Sequence, residues 1–377
     1  MDIEGLITPA LILDRRRLLS NAALMRDRAG RLGVTLRPHM KTAKSPEIGR
    51  IALGCDVGDA DGTGPVTVST LREADYFRGH GFNDILYAVA IAPGKLDQAA
   101  GMMSWGLDLK IVTDTVQGAR AIAAHGSPFQ VLIEIDCGDH RGGVADGDAA
   151  LLEIAAAVED GGKAKICGVM THAGQSYDCR TPESMAEVAE IERRAAVDAA
   201  DRLREAGFSC SIVSVGSTPT ATFARDLSGV TEIRPGVYMF SDLFQAAIGT
   251  SRIDDLAVSV LASVIGRREG DNMALIDAGG LALSKDRSGA VLDDDPGYGL
   301  VCDPLTCRPI GDLRISAVSQ EHGRVTSPSG TPLTLEIGSK VRILPNHACM
   351  TSAAYEAYHV VDGGDEIIAR WRRCNGW

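Results

Sequence analysis

The sequence predicts a (β/α)8 TIM barrel followed by a smaller, mostly antiparallel β domain. Three observations carry that reading. Short Val/Ile/Leu-rich runs alternate with helical patterns between about residues 35 and 240, as buried parallel strands do when helices cover them. Chemically suggestive residues fall near the C-terminal ends of most of these runs, all around the ring, which favours a closed barrel over a doubly wound open sheet. After about residue 250 the helical spacing gives way to short alternating runs separated by Gly, Pro and Asp.

Residues 8–13 read as a strand that precedes the barrel and joins the second domain. The eight barrel strands are expected at residues 35–41, 65–70, 84–91, 108–114, 129–136, 165–173, 210–217 and 232–239. Helical patterns such as residues 46–52, 70–79, 149–159 and 183–206 lie between them. In the second domain, residues 256–265, 273–277, 313–319 and 340–344 read as strands, and the Asp-rich stretch 286–299 as a loop. The expected organisation is therefore a barrel over residues 14–250 and a β domain over residues 251–377, joined by the strand in residues 1–13.

Composition narrows the function classes. A chain of 377 residues, 45% hydrophobic, has material for a large core, and its net charge of -12 with no basic run argues against nucleic acid and anionic membranes. The N-terminal residues lack the basic and apolar regions of a signal peptide, and no apolar run approaches membrane-spanning length. Nine cysteines without a CxxC pair suggest buried thiols in a reducing cytoplasm. A small-molecule substrate is the expected partner.

Lys41 ends the first strand, in Leu36-Arg37-Pro38-His39-Met40-Lys41-Thr42, and a helical pattern follows at once. A lysine there points into the barrel mouth, where active sites are built. In a dry mouth its amine loses its proton more readily and can attack a carbonyl. The plain alternative is a solvated loop lysine. Ser214-Val215-Gly216-Ser217-Thr218-Pro219-Thr220 follows the seventh strand. Gly216 permits close backbone approach, the hydroxyls and amides of Ser217 and Thr218 can bond phosphate oxygens, and a helix starting after Pro219 adds its positive end. An ordinary Ser/Thr helix cap is the alternative. Gly236, in Arg234-Pro235-Gly236-Val237, lies where the same phosphate would be met from the eighth strand. Lysine plus phosphate cradle at one barrel mouth suggests pyridoxal 5'-phosphate. In the second domain, Pro345-Asn346-His347-Ala348-Cys349 sets His and Cys two apart, so both face one metal if the backbone is extended. Imidazole with thiolate suits zinc, and two protein ligands leave positions open for water and substrate. A buried structural cysteine is the alternative.

These stretches, with Val169-Met170-Thr171-His172-Ala173-Gly174, resemble the fold-type III pyridoxal phosphate enzymes, the alanine racemase-like barrels, in their D-serine dehydratase and D-threonine aldolase branch. The resemblance runs from Thr8 to Trp377. It implies that Lys41 carries the cofactor as a Schiff base and that Ser217, Thr218, Gly236 and Val237 hold the phosphate. It places His172 beside the cofactor ring, Arg141 near the cofactor hydroxyl or substrate carboxylate, and Arg234 against the pyridine nitrogen. Arginine stays protonated, so that nitrogen would not be. Tyr177 follows His172 in a polar loop and either closes over the substrate or packs on the loop. Dehydratases of the branch carry His-x-Cys and bind zinc, whereas its threonine aldolases more often carry His-x-Asp. His347 and Cys349 therefore tilt the reading towards dehydration. Manganese or magnesium are the other metals considered. Asp277-Ala278-Gly279-Gly280 and Gln320-Glu321-His322-Gly323 also match the branch, without an assigned role.

The expected activity is conversion of a D-3-hydroxy amino acid (D-threo-3-hydroxyaspartate, D-serine or D-threonine) to a 2-oxo acid and ammonia by a homodimeric enzyme. Retro-aldol cleavage is the first rival. A non-catalytic pyridoxal phosphate carrier is the second, and the C-terminal domain argues against it.

Overall fold

A computed structural model describes residues 1–58, 64–291 and 294–377. The chain divides into two compact units: Ala23–Gly236 with Gly376–Trp377, and Met1–Ala22 with Val237–Asn375. Strand β1 (Ala10–Asp14) and helix α1 (Arg15–Arg31) come first in the chain. The first unit then alternates β2 (Thr35–Leu36), α2 (Pro46–Leu53), β3 (Val66–Val68), α3 (Leu71–Arg78), β4 (Asp84–Ala90), α4 (Leu96–Ser104), β5 (Asp108–Thr113) and α5 (Val116–His125). It continues with β6 (Gln130–Ile135), α6 (Ala150–Glu159), β7 (Lys165–Thr171), α7 (Pro182–Glu205), β8 (Ile212–Val215), α8 (Thr218–Phe223) and β9 (Glu232–Ile233).

All eight expected barrel strands are present, in the order β2-β9-β8-β7-β6-β5-β4-β3, and every pair is parallel. The first and last are shorter than expected, and proline is the reason. Pro38 and Pro235 have no N–H to donate to a ladder. Past Leu36 the chain pairs through single bonds: the Arg37 and His39 amides donate to Ile233 O and Pro235 O, both at 2.9 Å. On its other side, Pro38 O accepts from Thr67 N at 3.0 Å and Met40 N donates to Thr67 O at 2.8 Å. This one bridge, His39 to Thr67, joins the two ends of the sheet and closes the barrel.

Local signals set the helices. Pro46 opens α2, and Gly54, at φ 85°, ends it in a left-handed conformation. In α7, Thr181 and Ser184 form a capping box, and the buried face runs through Met185, Ala189, Glu192, Ala196, Ala199 and Leu203.

The barrel interior carries a connected set of charges. Buried Arg37 donates from Nε to Glu232 Oε2 and from NH1 to Asp84 Oδ1, both at 2.7 Å. Lys110 Nζ donates to the same Asp84 oxygen at 2.7 Å and to Asp108 Oδ2 at 2.6 Å. Ser214 Oγ donates to Glu232 Oε1 at 2.5 Å and accepts from Arg234 NH1 at 2.6 Å. Burial acts to raise the Asp84 carboxyl, but its bonds to Arg37 and Lys110 hold it below the ordinary range.

In the second unit, α9 (Leu243–Ala247) precedes β10 (Val258–Arg268), β11 (Met273–Ile276), α10 (Gly280–Leu283), β12 (Leu300–Cys302), β13 (Pro309–Val318) and β14 (Gly323–Thr326). Then come β15 (Lys340–Leu344), α11 (Ala348–Ser352), β16 (Ala357–Val361) and β17 (Ala369–Arg372). The sheet order is β11-β14-β13-β12-β15-β10-β1-β16-β17, and β11 also pairs with β10, so six strands close on themselves. β1 lies antiparallel to β10 and parallel to β16, with Ile12, Leu261 and Val361 packed in one core cluster. The stretch 286–299 forms no strand among the described residues; its residues 292 and 293 lie outside them.

The two unassigned motifs brace each other here. A Cβ on Gly279 would meet Gln320 O and His322 N, both at 2.4 Å, so only glycine fits that contact. Asp277 accepts from Ser263 N at 2.8 Å and from the Thr8 hydroxyl.

Removing Arg37 strands the buried Glu232 carboxylate without its cation. Arg37→Ala is expected to lower unfolding free energy by about 3–5 kcal/mol in urea denaturation. A loss below about 1 kcal/mol, the size of an exposed pair, would show that the interior charges are solvated.

Candidate active site

Past the barrel closure the chain leaves the sheet and turns. Met40, Thr42 and Ala43 are buried in that turn, while Lys41 is exposed. The expected desolvation of Lys41 is therefore not found; its surroundings in the protein alone are wet. Lys44, the neighbouring rival, is engaged: its Nζ lies 3.0 Å from Glu73 Oε1, and Glu73 is fully buried.

His172 follows the last residue of β7, half-buried. Its Nδ1 lies 3.3 Å from Gly216 O, and a carbonyl only accepts, so Nδ1 carries the proton and Nε2 keeps its lone pair. Burial, then the charges of Lys41, Arg141 and Arg234, push the His172 pKa down to about 3. The ring is thus neutral near pH 7. The same charges mark a cationic barrel mouth. His39, also beside Lys41, is pushed well down for like reasons, burial first.

Arg234 is buried, its NH1 on Ser214 and its NH2 on Thr171 O at 2.5 Å, so the guanidinium is held from two strands. Arg141 is much freer: its side chain is 58% exposed, 3.5 Å from Glu134 and 4.0 Å from Asp139. Tyr177 lies in a 3-10 turn, Gly174–Asp178, with its ring centroid 6.4 Å from that of His172. The turn is anchored, since buried Ser176 Oγ lies 2.8 Å from Ser217 Oγ and Gln175 Nε2 donates to Cys137 O at 2.9 Å.

Gly216 has φ 120°, and a Cβ there would lie 3.0 Å from Arg234 N. A Cβ on Gly236 would lie 2.9 Å from His39 O. Both glycines are required by close backbone approach. Helix α8 begins at Thr218, two residues before the expected start after Pro219. Ser217 is its N-cap: the Ser217 hydroxyl accepts from Thr220 N at 3.2 Å, and its amide donates to Thr220 Oγ1 at 3.0 Å. Ser217 is thus committed to the cap. The Thr218 hydroxyl, by contrast, is buried with no partner among the described residues, as a group awaiting a ligand oxygen would be. Val237, next in the chain after Gly236, is buried at the start of a 3-10 turn and belongs to the second unit. The orphaned hydroxyl, the two glycine approaches and the cationic mouth fit a phosphate-bearing cofactor with a carbonyl for Lys41.

In the second unit, His347 is the extended N-cap of α11, and Cys349 stands in the first turn of that helix. The spacing is therefore not that of a strand, as the extended reading required; the helix turn nonetheless keeps Cys349 close enough to act on the His347 ring. His347 Nδ1 lies 2.6 Å from Asp286 Oδ2. Asp242 Oδ2 accepts from Ala348 N at 3.0 Å and fixes the start of α11. Burial acts to lower the His347 pKa, but Cys349, Asp242 and Asp286 together raise it to about 10. Among the described residues no cluster of three or more His, Cys, Asp or Glu is arranged to hold a metal. The pair fits an open, two-ligand metal site and does not make a closed structural one.

The sequence reading missed Glu192, Ser176, Ser214, Glu232, Asp242 and Asp286, all of which hold these residues in place. Only Glu192 left a signal: it is a carboxylate on an otherwise apolar helix face.

Comparison with known proteins identifies the family. Residues 13–243 match the alanine racemase N-terminal domain, and residues 257–361 match a putative serine dehydratase domain. D-threo-3-hydroxyaspartate dehydratase of Delftia sp. (strain HT23) is 44% identical over 98% of this chain and 98% of its own. D-serine dehydratase of Dictyostelium discoideum is 34% identical over 100% of this chain and 98% of its own. A solved D-threo-3-hydroxyaspartate dehydratase mutant in the metal-free form is 42% identical, with both chains fully covered (100% each) and a TM-score of 0.94. The chain belongs to the family that joins an alanine racemase-type barrel to a serine dehydratase domain.

Proposed function

We propose that this protein is a pyridoxal phosphate- and metal-dependent lyase that dehydrates a D-3-hydroxy amino acid to a 2-oxo acid and ammonia. D-threo-3-hydroxyaspartate is the first substrate to test, with oxaloacetate as the product. The observation that carries the reading is the pairing, in one chain, of an exposed lysine in a cationic barrel mouth with a His–Cys pair braced by two carboxylates, buried Asp242 and half-buried Asp286. A racemase has no use for the second feature. The names of the relatives, dehydratases acting on D-amino acids, support the choice, as does the metal-free form named for one solved structure.

Bound pyridoxal phosphate supplies the electron delocalisation that makes the substrate Cα–H acidic. The residues of the chain do the rest. Thr218 and the backbone at Gly216 and Gly236 hold the phosphate. Arg234, gripped by Ser214 and Thr171, fixes the ring edge with a permanent cation. Lys41 would hold the cofactor through its carbonyl and is placed, as an exposed amine, to take the substrate α-proton. Neutral His172 presents the Nε2 lone pair beside the ring, and Tyr177 borders it. Arg141, exposed and loosely paired, can turn to a substrate carboxylate. His347 and Cys349 would hold zinc, whose Lewis acidity eases departure of a hydroxide. Among the described residues no cysteine forms a disulfide, which suits a reducing cytoplasm, and no helix is long and apolar enough to cross a membrane. A homodimer is the expected assembly.

Chelation is expected to stop 2-oxo acid formation from D-3-hydroxyaspartate while the visible absorption of lysine-bound cofactor stays largely intact. Cys349→Ala should lower kcat by roughly two orders of magnitude or more, with the same spectrum. Full dehydratase activity after chelation would remove the metal from the mechanism. Glycine and an aldehyde, in place of ammonia and a 2-oxo acid, would replace dehydration with retro-aldol cleavage.

A further inference from the structure

Glu192 is a carboxylate only 1% exposed, on the buried face of α7, with no cation in contact among the described residues. Burying such a group is costly, and burial raises its pKa. What it touches is specific. One oxygen, Oε1, accepts from the amide of Ala173 at 2.9 Å and from the amide of Gly216 at 3.0 Å. Ala173 follows His172, and Gly216 precedes Ser217 and Thr218. A single atom therefore ties the end of β7, which carries the histidine, to the end of β8, which carries the proposed phosphate turn. The Thr220 hydroxyl accepts from Ser217 N at 3.0 Å, so the turn that starts at Gly216 runs directly into the cap of α8. Gly216 is held from both sides: its N–H by Glu192 and its C=O by His172 Nδ1.

We propose that Glu192 is a positioning residue that locks His172 and the Gly216–Thr218 turn into one unit, so that ring and phosphate of the cofactor are held in fixed relation. The proposal rests on the pyridoxal phosphate reading above. Its requirement is reach and acceptor geometry, since both amides need only a well-placed oxygen. Glutamine meets it: its carbonyl oxygen replaces Oε1 as the acceptor for both amides. Aspartate does not, because it keeps the charge but withdraws the oxygen by one methylene. A role based on charge would rank the two variants the other way.

The test is titration of pyridoxal phosphate into the full-length protein stripped of cofactor, for wild type, Glu192→Gln and Glu192→Asp. The cofactor absorption band gives Kd, and thermal melts of the same samples give stability. Gln is expected to keep Kd within about threefold of wild type, and Asp to raise it by about tenfold or more, as two buried donors lose their acceptor. The Asp loss should exceed that of Gln even where their melting temperatures match. Wild-type Kd in the Asp variant, or weaker binding by Gln than by Asp, overturns the proposal and leaves the cofactor reading standing. No binding by the wild type overturns the cofactor reading itself, and this proposal with it.

Discussion

Among the described residues the barrel closes at a single point, where Thr67 exchanges backbone hydrogen bonds with Pro38 and Met40. Everything proposed for the barrel mouth depends on it. The proline has no N–H to donate on this side, so the contact rests on its carbonyl and the Met40 amide. The chain turns directly after the closure, with Met40, Thr42 and Ala43 packed inward. Lys41 is the residue left facing outward, at the end of the barrel where strands finish and sites are built. A longer ladder would have carried the lysine into regular pairing and fixed its side chain in the sheet.

The interior charges serve the same end from below. Asp108, Lys110, Asp84, Arg37, Glu232 and Ser214 form an unbroken series of contacts that ends on Arg234. Such a set adds little net stability over an apolar core, since Arg37, Lys110 and Glu232 must leave water while Asp84 and Asp108 stay partly exposed. What it gives is direction. Arg37 takes one oxygen of Glu232, which leaves the other for Ser214, whose lone pair then meets Arg234. The guanidinium is placed by the whole series and cannot swing to another partner without breaking it. In the second unit carboxylates act in the same way on His347, through Asp286 on the ring and Asp242 on the following amide.

Much of this was legible in the sequence because buried parallel strands have to be apolar and short, and the helices between them have to show one apolar face. The eight barrel strands and the long β10 stand out for that reason. Strands β12, β14, β16 and β17 do not: three to five residues each, with Gly323 opening one and alternating Arg in another, they lack the length for a pattern. The site followed the same division. Residues of distinctive chemistry at strand ends, Lys41, His172, Arg234 and the Ser217–Thr218 turn, could be picked out singly. Their supports could not, because a carboxylate such as Glu232 or Asp286 looks like any other until the fold shows what it touches. Two local details also depended on the backbone: Lys41 is exposed, and Cys349 reaches His347 from a helix turn.

Because the closure leaves one exposed lysine at the mouth and pairs the next with buried Glu73, the most direct measurement is where the cofactor attaches. Protein loaded with pyridoxal phosphate, reduced with borohydride and mapped by peptide mass, should carry the pyridoxyl group on Lys41 alone. A label on Lys44, or none at all, would contradict the placement of Lys41 at the centre of the chemistry.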